Sequence, residues 1–208
     1  MAAKKARKTT KRSTKKVAKK TSARKPAKKA AKKKAAKKKA TKKSATVTLG
    51  GNPVRTSGVL PKVGAKAPAF ALTTGTLSEI GPKELKGKRV ILNIFPSIDT
   101  PTCATSTRKF NEFASSLANT EVWCVSADLP FAQGRFCGSE GLANVKTASS
   151  FRTNFGQAFG VTLTSGVLKG ILARAVVVLD EDGVVTHTEL VPEIANEPNY
   201  EAALKALR

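Results

Sequence analysis

Cys103 is the residue of this sequence best placed to act as a nucleophile. The apolar run Val90–Phe95 predicts a buried strand, which ends at Pro96 because proline cannot donate to a central ladder. After a polar loop, Thr100 suits the N-cap of a helix and Pro101 its first residue. Cys103 then lies in the first helical turn, where unpaired N–H groups and the helix dipole favour thiolate over thiol. The segment predicts a cysteine nucleophile at a rigid strand-to-helix corner.

The cysteine count limits what else the thiols can do. The sequence holds three cysteines and no Cys-x-x-Cys pair, which argues against a secreted disulfide scaffold and fits a reducing compartment. Cys124 lies within a predicted buried strand and is interpreted as a small core residue. Cys137 is predicted on or just after a short helix that is bounded by Gly138 and Gly141. Its spacing from Cys103 assigns it no role by itself.

Other chemistries find little support in the residue types. A Cys–His protease or acyltransferase would need the sole histidine, His187, beside Cys103, and nothing in the sequence indicates this. Three scattered cysteines and one histidine form no ligand cluster, so no metal is expected. The sequence has no Walker motif and no Gly-x-Gly-x-x-Gly loop, so we expect no bound cofactor.

Several stretches resemble one family. Pro96, Thr100 and Cys103 match the Pro-x-x-x-Thr-x-x-Cys motif of peroxiredoxins, and residues 95–100 resemble its thiol peroxidase subfamily. Three further stretches resemble the same subfamily in the same order: 126–133, 135–138 and 173–178. The resemblance covers about residues 47–208 and leaves the first 45 or so residues outside it.

The resemblance implies a reaction and roles for the residues. Cys103 would be the peroxidatic cysteine, which reduces hydrogen peroxide or an organic hydroperoxide and becomes a sulfenic acid. Thr100 would donate to the thiolate and accept from the peroxide, and Pro96 would shield the sulfur from water. Cys137 would be the resolving cysteine, forming an intramolecular Cys103–Cys137 disulfide that thioredoxin reduces. Family members also usually form homodimers.

A guanidinium beside Cys103 would stabilise the thiolate and polarise the peroxide. The resemblance implies that Arg174, just before a predicted strand, supplies it. On the sequence alone, Arg108 and Arg135 are equal candidates.

The element order predicts an α/β domain with a thioredoxin-like fold: a central mixed sheet flanked by helices, with an N-terminal β-hairpin. Strands that alternate with helices favour parallel pairing, and a closing hairpin supplies antiparallel strands. Besides the strand and helix around Cys103, the predicted elements are a hairpin over 47–57, a short strand over 69–72, a turn or short helix over 78–85, strands over 122–127 and 145–148, a helix over 151–159, a strand over 174–179, a turn over 180–183, a strand over 184–190 and a helix over 200–207.

The charge of the chain is concentrated at one end. The formal net charge is +24, and residues 1–45 hold 22 Lys and Arg without one Asp or Glu, leaving 16 basic and 14 acidic residues elsewhere. We therefore predict two parts: a disordered Lys/Ala-rich tail, residues 1–45, and a near-neutral domain, residues 46–208. The tail resembles linker-histone tails in composition and predicts DNA binding without sequence preference. A merely solvated polycation, or one that binds membrane surfaces or acidic proteins, remains the alternative.

The compartment follows from what the sequence lacks. No apolar run approaches the roughly 20 residues of a transmembrane helix, and the N-terminal residues lack the apolar core of a secretory signal. Transit peptides are usually rich in Arg and Ser rather than Lys. We expect a cytoplasmic protein, associated with the nucleoid if its tail binds DNA.

Two other functions remain open at this point. A dithiol oxidoreductase without peroxidase activity would normally carry a Cys-x-x-Cys pair, which is absent. The second is a DNA-coating protein with a catalytically idle thioredoxin-like domain. The intact motif of Pro96, Thr100 and Cys103 argues against it.

Overall fold

The computed structural model describes residues 43–207, and a seven-stranded mixed sheet lies at their centre. The elements in order are β1 (Thr46–Leu49), β2 (Asn52–Arg55), β3 (Leu72–Thr74), β4 (Glu79–Ile80), β5 (Arg89–Ile94), α1 (Pro101–Ala114), β6 (Thr120–Ser126), α2 (Pro130–Glu140), β7 (Val145–Ser149), α3 (Phe155–Ala158), β8 (Ala175–Leu179), β9 (Val185–Leu190) and α4 (Tyr200–Lys205).

The strand order of the sheet is β4-β3-β7-β6-β5-β8-β9. The central strands β5, β6 and β7 run parallel, while β8, β9, β3 and β4 pair antiparallel. The crossover helices α1 and α2 connect the parallel strands, as short βαβ units require. The predicted α/β class with a central mixed sheet is confirmed.

The two faces of the sheet carry separate apolar cores. Alternate residues of β5 point to opposite sides, as in any strand. Leu92 and Ile94 join the core that the hairpin β1–β2 and α3 cover. Ile91, with Phe95 just after the strand, joins the other core, which contains side chains of α1, α2 and α4. Strand β5 is therefore buried on both sides, which gives the loop after it a rigid base.

Helix α1 follows the predicted pattern closely. Pro101 occupies its first turn, and buried positions at three- and four-residue spacing, such as Cys103, Thr107 and Phe110, face the sheet. The helix ends at Ala114, and Asn119, just before β6, adopts a left-handed φ of 49°.

Three predicted elements differ from the structure. The helix predicted over 151–159 is reduced to α3, because Ser and Thr side chains bond the backbone of the preceding turn: Ser149 Oγ accepts from Phe151 N, and Thr153 Oγ1 from Phe155 N. The strand predicted over 69–72 begins only at Leu72. The segment 78–85 holds the short strand β4 followed by turns, and no helix.

The N-terminal hairpin is present and forms a separate two-stranded sheet. Its turn has only two residues, Gly50 and Gly51, and the φ angles of 58° and 78° explain why both are glycine. Ala45 bonds to Thr56 and Gly58, so hydrogen bonding around the hairpin starts just before β1. The rest of the predicted tail, residues 1–42, lies outside the described residues.

No helix within residues 43–207 is long and apolar enough to cross a bilayer.

Candidate active site

The Cys103 side chain is fully buried, and its sulfur accepts hydrogen bonds from two side chains. Thr100 Oγ1 donates to Cys103 Sγ at 2.7 Å, and Arg174 Nη2 donates at 3.4 Å. Burial penalises an unpaired thiolate, whereas donors and a positive charge stabilise it. The structure thus brings Arg174, 71 residues away in the sequence, to the neighbouring pair Thr100 and Cys103.

Thr100 occupies the N-cap position, but its side chain makes no capping hydrogen bond. The predicted N-cap position of Thr100 is confirmed, and its hydroxyl is directed to other acceptors. The hydroxyl has one hydrogen and two acceptors within reach: Cys103 Sγ, and Ser97 O at 3.1 Å. A threonine three residues before the cysteine can serve the sulfur because the backbone of Thr100 is still extended while Cys103 is already helical.

Arg174 is only 2% exposed and is fixed at both ends of its guanidinium. Nε donates to the Ile194 carbonyl oxygen at 2.8 Å, while Nη2 reaches the sulfur. Within residues 43–207, Arg174 makes no ion pair with a carboxylate, and its Nη1 has no hydrogen-bond partner. The Cys103 sulfur is the side-chain acceptor within hydrogen-bond distance of this guanidinium. The free Nη1 can donate to a substrate oxygen.

The other two candidate arginines lie elsewhere. Arg108 is exposed on α1 and forms a two-pronged ion pair with Glu140 at 2.8 and 3.0 Å. Arg135 is exposed on α2. Among the three guanidiniums left equal by the sequence, Arg174 is the one that contacts the sulfur of Cys103.

Pro96 is buried just after β5. Asp128, which was not among the predicted site residues, holds the loop that follows. One carboxylate oxygen accepts from Ser97 Oγ at 2.8 Å, and the other from Ile98 N at 2.7 Å. Asp128 follows β6, which runs parallel beside β5, so both loops leave the same edge of the sheet. The sequence did contain a signal for Asp128: a carboxylate shortly after β6, the strand that lies beside β5 in the sheet.

The remaining two cysteines differ in their surroundings. Cys124 lies in β6 without exposure, and burial raises the pKa of its thiol to about 12, as expected of a core residue. Cys137 lies near the end of α2, is half-buried, and also has a pKa raised by burial. All three cysteines are free thiols. Cys137 lies within α2, one of the two positions predicted for it.

His187 lies on β9 opposite Val178, half-buried, and it is not among the partners of the Cys103 sulfur. Among residues 43–207, no three His, Cys, Asp or Glu side chains are grouped as a metal site would need. The site can therefore be understood from a thiol, a hydroxyl and a guanidinium.

The sequence and fold match a known family. The redoxin family model matches residues 62–204. A thiol peroxidase of Mycobacterium tuberculosis is 60% identical over 163 residues, which cover 78% of this chain and 98% of that protein. The chain belongs to the redoxin family, in the thiol peroxidase subfamily of the peroxiredoxins.

Further relatives of this peroxiredoxin agree. A thiol peroxidase of Corynebacterium glutamicum is 54% identical over 157 residues, covering 76% of this chain and 95% of that protein. The crystal structure of a peroxiredoxin-like protein from Aquifex aeolicus superposes with a TM-score of 0.74 at 45% identity, covering 78% of this chain and 96% of that one. The predicted thioredoxin-like fold and peroxiredoxin enzyme class are confirmed.

Proposed function

We propose that Cys103 is the peroxidatic cysteine of this peroxiredoxin, with Thr100, Arg174 and Pro96 as its partners. The observation that carries the proposal is the buried Cys103 sulfur that accepts from both Thr100 and Arg174. The pair can hold the sulfur as thiolate and direct it toward an incoming oxygen. Burial of Pro96 and the sulfur keeps bulk water away from the reacting atoms.

In the first step, the Cys103 thiolate attacks the terminal oxygen of a hydroperoxide. A sulfur–oxygen bond forms as the oxygen–oxygen bond breaks, and the departing alkoxide or hydroxide takes a proton to leave as alcohol or water. The sulfur is oxidised to sulfenic acid and the peroxide is reduced. Arg174 Nη1, which has no partner within the described residues, can donate to an oxygen on which negative charge develops.

In the second step, the Cys137 thiolate attacks the sulfenic sulfur, and the sulfur–oxygen bond breaks as an intramolecular disulfide forms. The departing hydroxide takes a proton to leave as water. The thiolate rather than the thiol is the nucleophile, and burial in α2 raises the pKa of Cys137. Unwinding the end of α2 would expose Cys137 and remove that penalty, so the same motion frees the thiol and activates it. A thioredoxin dithiol then reduces the disulfide by exchange and restores both thiols.

Exposed apolar side chains support an organic hydroperoxide as substrate and a homodimer as the assembly. Leu129 and Phe131 at the start of α2 are 51% and 64% exposed, and Phe151 after β7 is 41% exposed. These residues follow the same ends of the parallel strands as the loop of Cys103. Light scattering of the purified protein, beside a Phe131→Glu variant, tests the dimer: the variant should be monomeric and the wild type dimeric.

The experiment that tests the cysteine roles is stopped-flow oxidation by cumene hydroperoxide and by H₂O₂. Trp123, the single tryptophan, supplies the fluorescence signal that is followed. Fast oxidation should disappear in Cys103→Ser and stop at sulfenic acid in Cys137→Ser, whereas Cys124→Ala should behave as wild type. Oxidation at the rate of a free thiol would favour the catalytically idle, DNA-coating alternative. Disulfide exchange without peroxide turnover would indicate a dithiol oxidoreductase.

For residues 1–45 we propose binding to DNA without sequence preference, which would place the peroxidase at the nucleoid in the cytoplasm. The support is composition: 22 basic residues and no acidic one in this stretch. Each neutralised phosphate should lower log K by roughly 0.9 per unit of log[salt] on duplex DNA. Electrophoretic mobility shifts at several salt concentrations, with two unrelated duplexes, test this. An equal affinity for DNA in the same protein without residues 1–45 would refute the proposal.

A further inference from the structure

The segment 191–195, between β9 and α4, contacts the candidate active site directly. The Ile194 carbonyl accepts from Arg174 Nε at 2.8 Å, and Val191 N donates to the Arg174 carbonyl at 3.0 Å. The Ala195 carbonyl accepts from Thr102 Oγ1, next to Cys103, at 3.0 Å. The placement of the Arg174 guanidinium therefore depends on the placement of this segment.

The other side of the segment is attached to the N-terminal hairpin. Thr48 N donates to the Pro192 carbonyl at 2.7 Å, and Ile194 N donates to the Thr48 carbonyl at 2.8 Å. These bonds give Thr48 and Glu193 the pairing of a parallel bridge. The hairpin is thus linked to Arg174 through one short piece of backbone.

Glu193 holds that link together through both carboxylate oxygens. Oε2 accepts from Thr48 Oγ1 at 2.8 Å and from Gly51 N at 3.1 Å, and Oε1 accepts from Gly50 N at 3.0 Å. Oε1 also accepts from Ala195 N of its own segment at 3.2 Å. Consecutive glycines with positive φ aim their N–H groups at one anion, as in backbone nests.

We propose that Glu193 is a positioning residue of the peroxidase reaction. By accepting hydrogen bonds from the hairpin turn, it fixes segment 191–195, and this segment in turn positions the Arg174 guanidinium beside Cys103. This inference rests on the proposed role of Arg174 at the sulfur. Glu193 does not contact the sulfur among the described hydrogen bonds, and its effect passes through the Ile194 carbonyl.

The first test is Glu193→Gln in the full-length protein, which keeps the side-chain shape but presents an NH₂ group to some of the four donors. The rate constant of Cys103 oxidation should fall about 10- to 100-fold, the range for a small displacement in an active site. The pH at which this rate is half-maximal should move upward, because a displaced guanidinium stabilises the thiolate less. Thr48→Val, which removes one donor, should give the same two changes to a smaller extent.

The matched control is Glu84→Gln. Glu84 also accepts a glycine N–H, from Gly81 at 2.8 Å, but in the loop after β4 and without a described bond to segment 191–195. It should oxidise as wild type. A wild-type rate and pH midpoint in Glu193→Gln, with fast oxidation intact in the wild type, would overturn the inference and leave the proposed function standing. Slow oxidation in the wild type would instead overturn the proposed function.

A double-mutant cycle separates positioning from a general loosening of the fold. In an Arg174→Ala background, Glu193→Gln should lower the rate no further, because its effect passes through Arg174. Losses that multiply, together with an unchanged pH midpoint in the single Glu193→Gln variant, would show a structural role only and overturn the proposal.

Discussion

At the scale of single residues, the site surrounds a buried sulfur with two hydrogen-bond donors. A thiolate taken out of water is costly unless hydrogen bonds and charge replace its hydration. Cys103 has both, from the Thr100 hydroxyl and the Arg174 guanidinium. Cys124 has neither a charge nor exposure, and its thiol remains protonated with a pKa of about 12. We therefore expect the two buried cysteines to differ in reactivity because their neighbours differ.

Thr100→Val should slow peroxide oxidation of Cys103 strongly. A hydrogen bond to a charged group contributes about 1.5–3 kcal/mol, so losing it should cost roughly 10- to 100-fold in rate. Stopped-flow fluorescence at pH 7 measures the change. Thr105→Val is the matched control, since Thr105 is on the same helix but does not bond the sulfur. Equal rates in both variants would show that the hydroxyl is not used.

At the scale of elements, the composition of α2 favours low helix stability near its C-terminal end. The helix has only eleven residues, among them Gly134 and Gly138, and each glycine lowers helix stability by about 1 kcal/mol relative to alanine. Its N-terminal half is anchored by Gln133, which is 1% exposed and donates to Ser126 Oγ and to the Ala148 carbonyl. Because Cys137 follows this anchor, we expect unwinding from Gly134 onward.

Gly134→Ala should stabilise α2 and slow disulfide formation. A Cβ there meets nothing within 4 Å and the φ angle is not positive, so alanine fits without strain. The free energy of unfolding should rise by up to about 1 kcal/mol, and the disulfide step should slow about two- to fivefold. Sulfenic acid formation should not change. Quenched-flow alkylation measures both steps, and Gly75→Ala, in the turn between β3 and β4, is the control. An unaltered disulfide rate would place the unwinding elsewhere.

The hairpin should loosen in acid. The Gly51 N–H and the Thr48 hydroxyl, followed by further N–H donors, lower the pKa of Glu193 to about 2 from its ordinary 4.5. A carboxyl with a lowered pKa in the folded state contributes stability above its unfolded pKa and loses it as the pH falls toward the folded value. Protection of the Gly50 and Gly51 amides from hydrogen exchange should therefore decrease between about pH 4.5 and 2. Glu193→Gln should lack this pH dependence.

At the scale of the whole molecule, charge and fold are separated along the chain. Most of the excess positive charge lies before residue 46, and the peroxiredoxin domain is nearly neutral. Electrostatic attraction to a polyanion is long-ranged but is screened within about 10 Å at 0.1 M salt. We therefore expect the proposed DNA binding by residues 1–45 to weaken as salt is added.

Deleting residues 1–42 should abolish DNA binding and leave catalysis unchanged. The hydrogen bonds of the hairpin begin at Ala45, so this deletion keeps them. Peroxide oxidation rates and the melting temperature should equal those of the full chain, while mobility shifts disappear. A slower enzyme would show that the segment contributes to the active site. Full-length protein at 0.5 M salt provides a control, since salt should release DNA without altering the fold.

Much of this protein could be predicted from local sequence. The apolar run of β5, Pro96, and the Thr100-Pro101 helix start are consecutive, so they place Cys103 in the first turn without knowledge of the rest of the fold. Alternating strands and helices predict the mixed sheet for the same reason, since strand and helix periods are local properties. Net charge is additive, so composition alone indicates the basic segment.

The tertiary structure decided the partners of the cysteine. Arg108, Arg135 and Arg174 are chemically alike in the sequence, and only folding places Arg174 at the sulfur, 71 residues from Cys103. Asp128 and Glu193 became visible for the same reason, because several of their donors are backbone N–H groups, which every residue type except proline carries. The residue type at a position therefore does not reveal whether its backbone N–H donates to a distant carboxylate. Such links depend on which loops the sheet brings to one edge, and that is set by strand order rather than by any local pattern.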